Sequence, residues 1–186
     1  RRHGPERPAA GGALARRGLA LIAAILLSPY RMRRLIGFLN PWDDPLDSGF
    51  QLTQSLIAIG SGGFWGRGFG QSLQKYNYLP ELIGDSIFAV TVEEFGFLGA
   101  TILIGLFIFF FWRSIAIARR APDVFSKLVV AGIASGIACQ AFVNMGAISG
   151  LLPLTGIPLP FISYGGTALV TTLFGVGIIL NISRYT

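Results

Sequence analysis

Three acids stand where an acid is costly to keep. Asp85, Glu93 and Glu94 precede residues 95–112, eighteen residues without a charge and dense in Ile, Leu and Phe. A carboxylate at a membrane boundary is expensive to desolvate unless it is paired, protonated or hydrated. On one continuous helix at about 100° per residue, Glu93 lies about 80° from Asp85 and Glu94 about 180° from it. Asp85 and Glu94 would then share no face. Asp85 follows Pro80 and Gly84, at the expected start of that helix. Two readings fit it there: an N-cap accepting backbone N–H bonds, or a general base or metal ligand opening towards lipid headgroups. Glu93 and Glu94 are expected to pair inside a helical bundle, with arginine or backbone partners.

Other polar groups are weaker candidates. Asp43, Asp44, Pro45, Asp47, Ser48 and Gly49 have turn chemistry, and they lack the oxygen spacing and closing glutamate of a calcium loop. The glycine-rich stretch 60–70 reads as a flexible connection. No strand precedes it and no Gly-Lys-Ser/Thr closes it, which argues against a phosphate loop. Residues 150–166 are uncharged and rich in Pro and Gly. They form either a tight external turn or a re-entrant element, which membrane depth tolerates only where protein or a wet cavity covers it. Asn144, Ser163 and Tyr164 are its candidate hydrogen-bonding groups for a polar headgroup. Cys139, the single cysteine, reads as a small packed residue in an apolar run, and His3 is not expected to be a ligand.

The elements that must position these groups follow from composition. The chain has 186 residues, 52% hydrophobic and 13% charged, with a mean hydropathy of +0.62. A soluble domain carries about 25% charge, so this is an integral membrane chain. The net charge of +6 is localised: residues 1–34 hold eight arginines and one glutamate, and the remainder sums to −1. A nucleic-acid binder would spread basic charge over a folded face; here it flanks apolar segments, as cytoplasmic anchors do. No nucleic acid is expected as a partner.

Crossing about 30 Å of hydrocarbon takes about 20 helical residues. The uncharged 56-residue run 128–183 is too long for one crossing, and Pro153, Pro158 and Pro160 divide it. The expected architecture is all-α and polytopic, with about four transmembrane helices near 18–36, 87–112, 128–149 and 167–182 and a large outer loop at 37–86. Residues 1–17 are expected to be disordered or truncated. Arg113, Arg119, Arg120 and Lys127 make the connection 113–127 cytoplasmic, which puts both ends inside and the loop outside. Arg31, Arg33 and Arg34 then fall outside, as interfacial anchors or as cations for an anionic ligand. Within the loop, residues 50–59 read as a short amphipathic helix at the interface. Gln51, Gln54 and Ser55 turn away from Leu52, Leu56 and Ile59, and Trp42, Trp65, Tyr76 and Tyr78 suit the headgroup level. Gly132, Ser135, Gly136 and Cys139 recur at helix-packing spacing on the third helix, for another helix of this protein or for a partner.

Three ordered blocks carry a resemblance. Pro41-Trp42-Asp43-Asp44-Pro45 precedes Gly49-Phe50-Gln51-Leu52-Thr53-Gln54-Ser55. Residues 74–81 (Gln-Lys-Tyr-Asn-Tyr-Leu-Pro-Glu) lead to Asp85-Ser86-Ile87-Phe88-Ala89-Val90 and Glu93-Glu94-Phe95-Gly96. Residues 158–166 read Pro-Leu-Pro-Phe-Ile-Ser-Tyr-Gly-Gly. Over residues 18–186 the chain resembles the SEDS family (shape, elongation, division and sporulation proteins), its division branch more than its elongation branch. The resemblance implies the C-terminal part of a ten-helix fold, hence a fragment. It also implies a peptidoglycan glycosyltransferase of the bacterial cytoplasmic membrane that polymerises lipid II on the outer face during division.

The family's essential acid matches Asp85, as general base or metal ligand. Lys75, Glu81, Gln51, Gln54, Ser163 and Tyr164 are the implied substrate contacts. Ile83-Gly84 stand where many members carry His-Thr, so no histidine relay adjoins Asp85. A divalent cation is a candidate cofactor, and membrane lipid, a class B penicillin-binding transpeptidase and other divisome proteins are candidate partners. The competing functions are a flippase for the lipid-linked precursor and a non-catalytic divisome scaffold.

Overall fold

The computed structural model describes residue 32 and residues 37–42, 49–72 and 85–186. Four helices are labelled here: α1 (Phe50–Gly62), α2 (Ile87–Arg120), α3 (Val124–Ile148) and α4 (Gly166–Ser183). Among the described residues, α2, α3 and α4 are long and apolar enough to cross a membrane. The chain is an all-helical membrane protein. The helix expected at 18–36 and the disordered stretch expected at 1–17 lie outside the described residues, apart from residue 32.

α2 outruns its expected end by eight residues. Residues 113–120 contain no breaker, and the helix stops only where Pro122 forces Ala121 into an extended conformation (φ −59°, ψ 142°). Its 34 residues span about 50 Å, well beyond a hydrocarbon core. The connection expected over 113–127 therefore shrinks to residues 121–123. α3 begins there because Asp123 caps it: Ser126 N–H and Ser126 Oγ each donate to its carboxylate at 2.8 Å. The backbone bond from Ser126 is the main reason this carboxyl is held below its ordinary range.

α2 packs on α3 through small residues. Ala89, Val92, Ala100 and Phe107 meet Ala141, Met145 and Ile148 in one core cluster, which also takes in Ala58 of α1 and Leu159. A second cluster joins Ala118, Val130 and Ile179, binding α4 to the pair. Gly175 of α4 admits Ile133 so closely that an added Cβ would meet its Cγ2 at 2.9 Å. Leu106, Phe109, Val170, Leu173 and Phe174 face outwards, as lipid-facing residues do.

Two expectations are corrected here. α1 does not lie free in an interface: it packs against α2, burying Leu52, Thr53, Ser55 and Ala58. Ser55 is buried because its hydroxyl is satisfied within the helix, donating to Gln51 O at 2.8 Å. Cys139 is exposed rather than packed, and Gly132, Ser135 and Gly136 are exposed with it. α3 turns its alanines to the bundle instead: Ala134, Ala138 and Ala141 are buried.

Candidate functional site

The glycine-rich stretch after α1 is a docked structural element. α2 is broken at Gly96 (φ 68°, ψ −164°), a conformation essentially confined to glycine. In an unbroken helix Phe97 and Leu98 N–H would donate to the carbonyls of Glu93 and Glu94. Here Phe97 N–H donates to Gly63 O (2.9 Å) and Leu98 N–H to Phe64 O (3.3 Å). The freed carbonyls accept from the same loop, Glu93 O from Arg67 N–H and Glu94 O from Gly68 N–H, both at 3.0 Å. Two helical bonds become four bonds to the loop. The approach is so close that a Cβ at Gly66 or Gly96 would collide with the opposing backbone. Phe64 stacks on Phe97 at 5.9 Å, and Trp65 stays exposed.

This docking buries the acids of α2. Glu93 is 1% exposed; it accepts from Ser72 Oγ at 2.5 Å and lies 3.9 Å from Arg67 Nε. The expected arginine partner is thus present, at the long limit of an ion pair. Glu94 is buried too, and its Oε1 has no hydrogen-bond partner among the described residues.

Asp85 sits two residues before α2 and is 8% exposed. Ser86, not Asp85, holds the N-cap position, and among the described residues no side chain caps this helix. Asp85 is fixed through its backbone: Asn144 Nδ2, from α3, donates to Asp85 O at 2.9 Å. The same amide nitrogen donates to Ile157 O at 2.7 Å. Gln51 of α1 approaches from the third side, Nε2 donating to Ser86 Oγ at 3.2 Å. α1, α3 and the 150–166 loop therefore converge on the entry to α2.

The 150–166 loop dips back towards the bundle, as a re-entrant element does. Gln140, one turn from Asn144, donates to Pro158 O at 2.9 Å. A buried carbonyl without a partner costs about 1–3 kcal/mol, so these two amides make irregular backbone tolerable at this depth. Leu159 N–H donates to Ser163 Oγ (2.7 Å), and Ser163 N–H returns to Leu159 O (3.0 Å). Between them Phe161 is held at φ 68°, a strained backbone for a bulky residue. Its ring stacks on Phe107 and meets Phe110 edge-on, at 6.3 and 6.0 Å. An apolar niche of about 230 Å³ opens there, lined by Leu103, Leu106, Phe107, Phe161 and Ile162. A separate cavity of about 520 Å³ between α2 and α4 includes Arg113 and Arg120, at the opposite end of α2 from Asp85.

The expected site residues thus divide. Asp85 and Gln51 are brought together through Ser86. Gln54 is half-buried on α1, and among the described residues no bond ties it to Asp85. Ser163 Oγ closes its own loop, and Tyr164, 83% exposed, points away from the protein. Asn144 does not face headgroups: it is 2% exposed and spends both amide hydrogens on carbonyls. Lys75 and Glu81, with Arg31, Arg33, Arg34 and the 43–48 turn, lie outside the described residues. Among the described residues no three His, Cys, Asp or Glu side chains gather as a metal site. Gln140 was not foreseen. Its signal was available: an amide four residues from Asn144 inside an uncharged run, at a depth where polar side chains need a reason.

Comparison with known proteins agrees with this architecture. Residues 11–186 match the FtsW/RodA/SpoVE family, described as cell cycle proteins. Stage V sporulation protein E of Bacillus subtilis is 52% identical over 164 residues, covering 88% of this chain and 45% of that protein. The probable peptidoglycan glycosyltransferase FtsW of Saccharophagus degradans is 54% identical over 158 residues, covering 83% of this chain and 40% of that one. The chain spans less than half the length of these relatives. A structure described as a peptidoglycan synthase complex coordinating polymerization and crosslinking superposes with a TM-score of 0.72 at 31% identity, over 94% of this chain and 48% of that one. An aspartate-to-alanine variant of the rod shape determining protein RodA from Thermus thermophilus gives 0.54 at 30% identity, over 97% and 59%. By sequence and by fold, the chain belongs to the FtsW/RodA/SpoVE family, the SEDS proteins.

Proposed function

We propose that this chain is the acid-bearing part of a peptidoglycan glycosyltransferase that polymerises lipid II during bacterial cell division, with Asp85 as its general base. The observation that carries the reading is a buried aspartate at the mouth of a membrane helix, its peptide clamped by Asn144. The names of the relatives FtsW and stage V sporulation protein E support the reaction class and a role in division or sporulation. The 4-hydroxyl of an acceptor GlcNAc attacks the anomeric carbon of a MurNAc linked to undecaprenyl pyrophosphate. The new C–O bond forms on the opposite face as the bond to pyrophosphate breaks. The hydroxyl proton passes to the Asp85 carboxylate, and the pyrophosphate leaves with the electron pair. A hydroxyl is a weak nucleophile at neutral pH, and a positioned carboxylate contributes about 10²–10⁴-fold.

Topology follows the basic residues. Arg113, Arg119, Arg120 and Lys127 mark one side as cytoplasmic, which puts Asp85, at the other end of α2, on the outer face of the bacterial cytoplasmic membrane. Gln51 is a candidate substrate contact beside Ser86; Gln54, Ser163, Tyr164, Lys75 and Glu81 are secondary ones. The partner we propose is a class B penicillin-binding transpeptidase, in keeping with the crosslinking complex that the fold resembles.

The test is polymerisation of purified lipid II by the full-length parent protein with its transpeptidase, comparing wild type with Asp85→Asn. Glycan strands from wild type and none from the variant, with partner binding intact in both, are expected. Strands from both would remove Asp85 as the base. Lipid II crossing vesicle membranes without polymerisation would point to a flippase instead.

A further inference from the structure

We propose that Asn144 is a positioning residue for Asp85, setting the orientation of the catalytic carboxylate as well as anchoring the 150–166 loop. This inference rests on the reading of Asp85 as the base. The first turn of α2 leaves the Asp85 carbonyl unused: Ala89 N–H goes to Ser86 O at 3.0 Å, and Val90 N–H goes to Ser86 O as well. Asn144 supplies that carbonyl's hydrogen bond from a different helix. Rotation of the 85–86 peptide, which would swing the Asp85 side chain, therefore breaks a buried bond.

The amide is uniquely suited to the place. Its two N–H groups are divided between carbonyls 72 residues apart, those of Asp85 and Ile157. Flipping the amide would set Oδ1 against both carbonyl oxygens, so the orientation is fixed by the network. In that orientation Oδ1 is buried with no hydrogen-bond partner among the described residues.

Gln140 provides the internal control. It bonds Pro158 O of the same loop from the same helix, one turn away, and its amide donates to the loop rather than to Asp85. If Asn144 only anchors the loop, the two residues are equivalent. If it also orients Asp85, they are not. A misplacement of about 1 Å in a catalytic group is enough to cost about 10²-fold.

The experiment measures kcat and KM for lipid II in the full-length parent protein with its transpeptidase, together with Tm, for Asn144→Ala, Asn144→Asp, Gln140→Ala and Asp85→Asn. We expect Asn144→Ala to lower kcat by about 10- to 100-fold with KM within about twofold, and Gln140→Ala to stay within about threefold of wild type. Asn144→Asp, isosteric and with one donor in its protonated form, falls between wild type and Asn144→Ala. It stands in as the measure should the alanine variant not fold. Equal kcat losses for Asn144 and Gln140 variants, or a loss confined to KM or Tm, would overturn the inference. Near-normal Asn144→Ala beside an inactive Asp85→Asn would overturn it alone. An active Asp85→Asn would overturn the reading of Asp85 and this inference with it.

Discussion

The two ends of α2 are built on opposite plans. At the Arg120 end the chain turns in three residues, with Pro122 stopping one helix and Asp123 capping the next. At the Asp85 end the backbone is irregular in three places: an uncapped helix start, a break at Gly96 and a Pro-rich loop with Phe161 at positive φ. The helix start and the loop are held by polar side chains sent from elsewhere, Asn144 and Gln140 from α3 and Gln51 from α1, and the break at Gly96 by backbone bonds to the glycine-rich loop. Strain kept at one end and avoided at the other is in keeping with the proposed site at Asp85.

The largest expected effect breaks the comparison at its functional end. Asp85→Asn preserves volume and removes the proposed base, so polymerisation should fall by about 10²–10⁴-fold while Tm changes little. A fall in Tm matching the loss of activity would make Asp85 a structural group and erase the distinction between the ends. Next in size is Gly96→Ala. Its Cβ would collide with the backbone of Phe64 and Gly66, and the φ/ψ region itself disfavours a side chain, so the loss is on the order of 3 kcal/mol. Tm of the full-length protein in detergent reads it directly. Gly105→Ala, where an added Cβ meets nothing within 4 Å, is the matched control and should leave Tm unchanged or raise it.

How much of this was legible in the sequence follows from what each feature depends on. The three described spans were readable because hydrophobic length and charge position are local properties. The exact end of α2 was not, since arginine-rich residues 113–120 remain good helix formers once out of the hydrocarbon, and only Pro122 ends them. Glycines 60–70 looked flexible because their partner, the opened turn at Gly96, lies 26 residues beyond the last of them. Periodicity placed α1 correctly as a helix. It failed on Ser55, whose burial depends on a helix-internal hydrogen bond and on α2 covering it. Of the site, Asp85 came from the family resemblance and its position before an apolar run. The clamp by Asn144 joins residues 59 apart, which no local pattern encodes.

A smaller effect sharpens the contrast within the Asp85 end. Ser72→Ala removes the hydroxyl that donates to Glu93 Oε2, weakening the seat of the glycine-rich loop by about 1–2 kcal/mol. Because Glu93 lies about two helical turns along α2 from the peptide that Asn144 holds, Tm should fall while kcat stays within about twofold. A large fall in kcat would mean that the loop and Asp85 move as one unit.

The smallest effect belongs to the other end. Asp123 is fully exposed, and the Ser126 backbone and hydroxyl bonds hold its carboxyl below the ordinary value of 3.8. A lowered folded-state pKa means that the carboxylate's contribution is complete above 3.8 and fades as pH falls through that value towards the folded one, because the unfolded chain takes up the proton first. Asp123→Ala should therefore lower Tm slightly at pH 7, with no change in polymerisation, and the gap from wild type should close as the pH drops below 3.8. Among the described residues no arginine pairs with this cap: its partner is Ser126, so added salt should change the gap little. If the alanine variant instead lost as much Tm as Gly96→Ala, the short turn would be as finely balanced as the outer end. The two plans would then be one, with a single cooperative network running the length of α2.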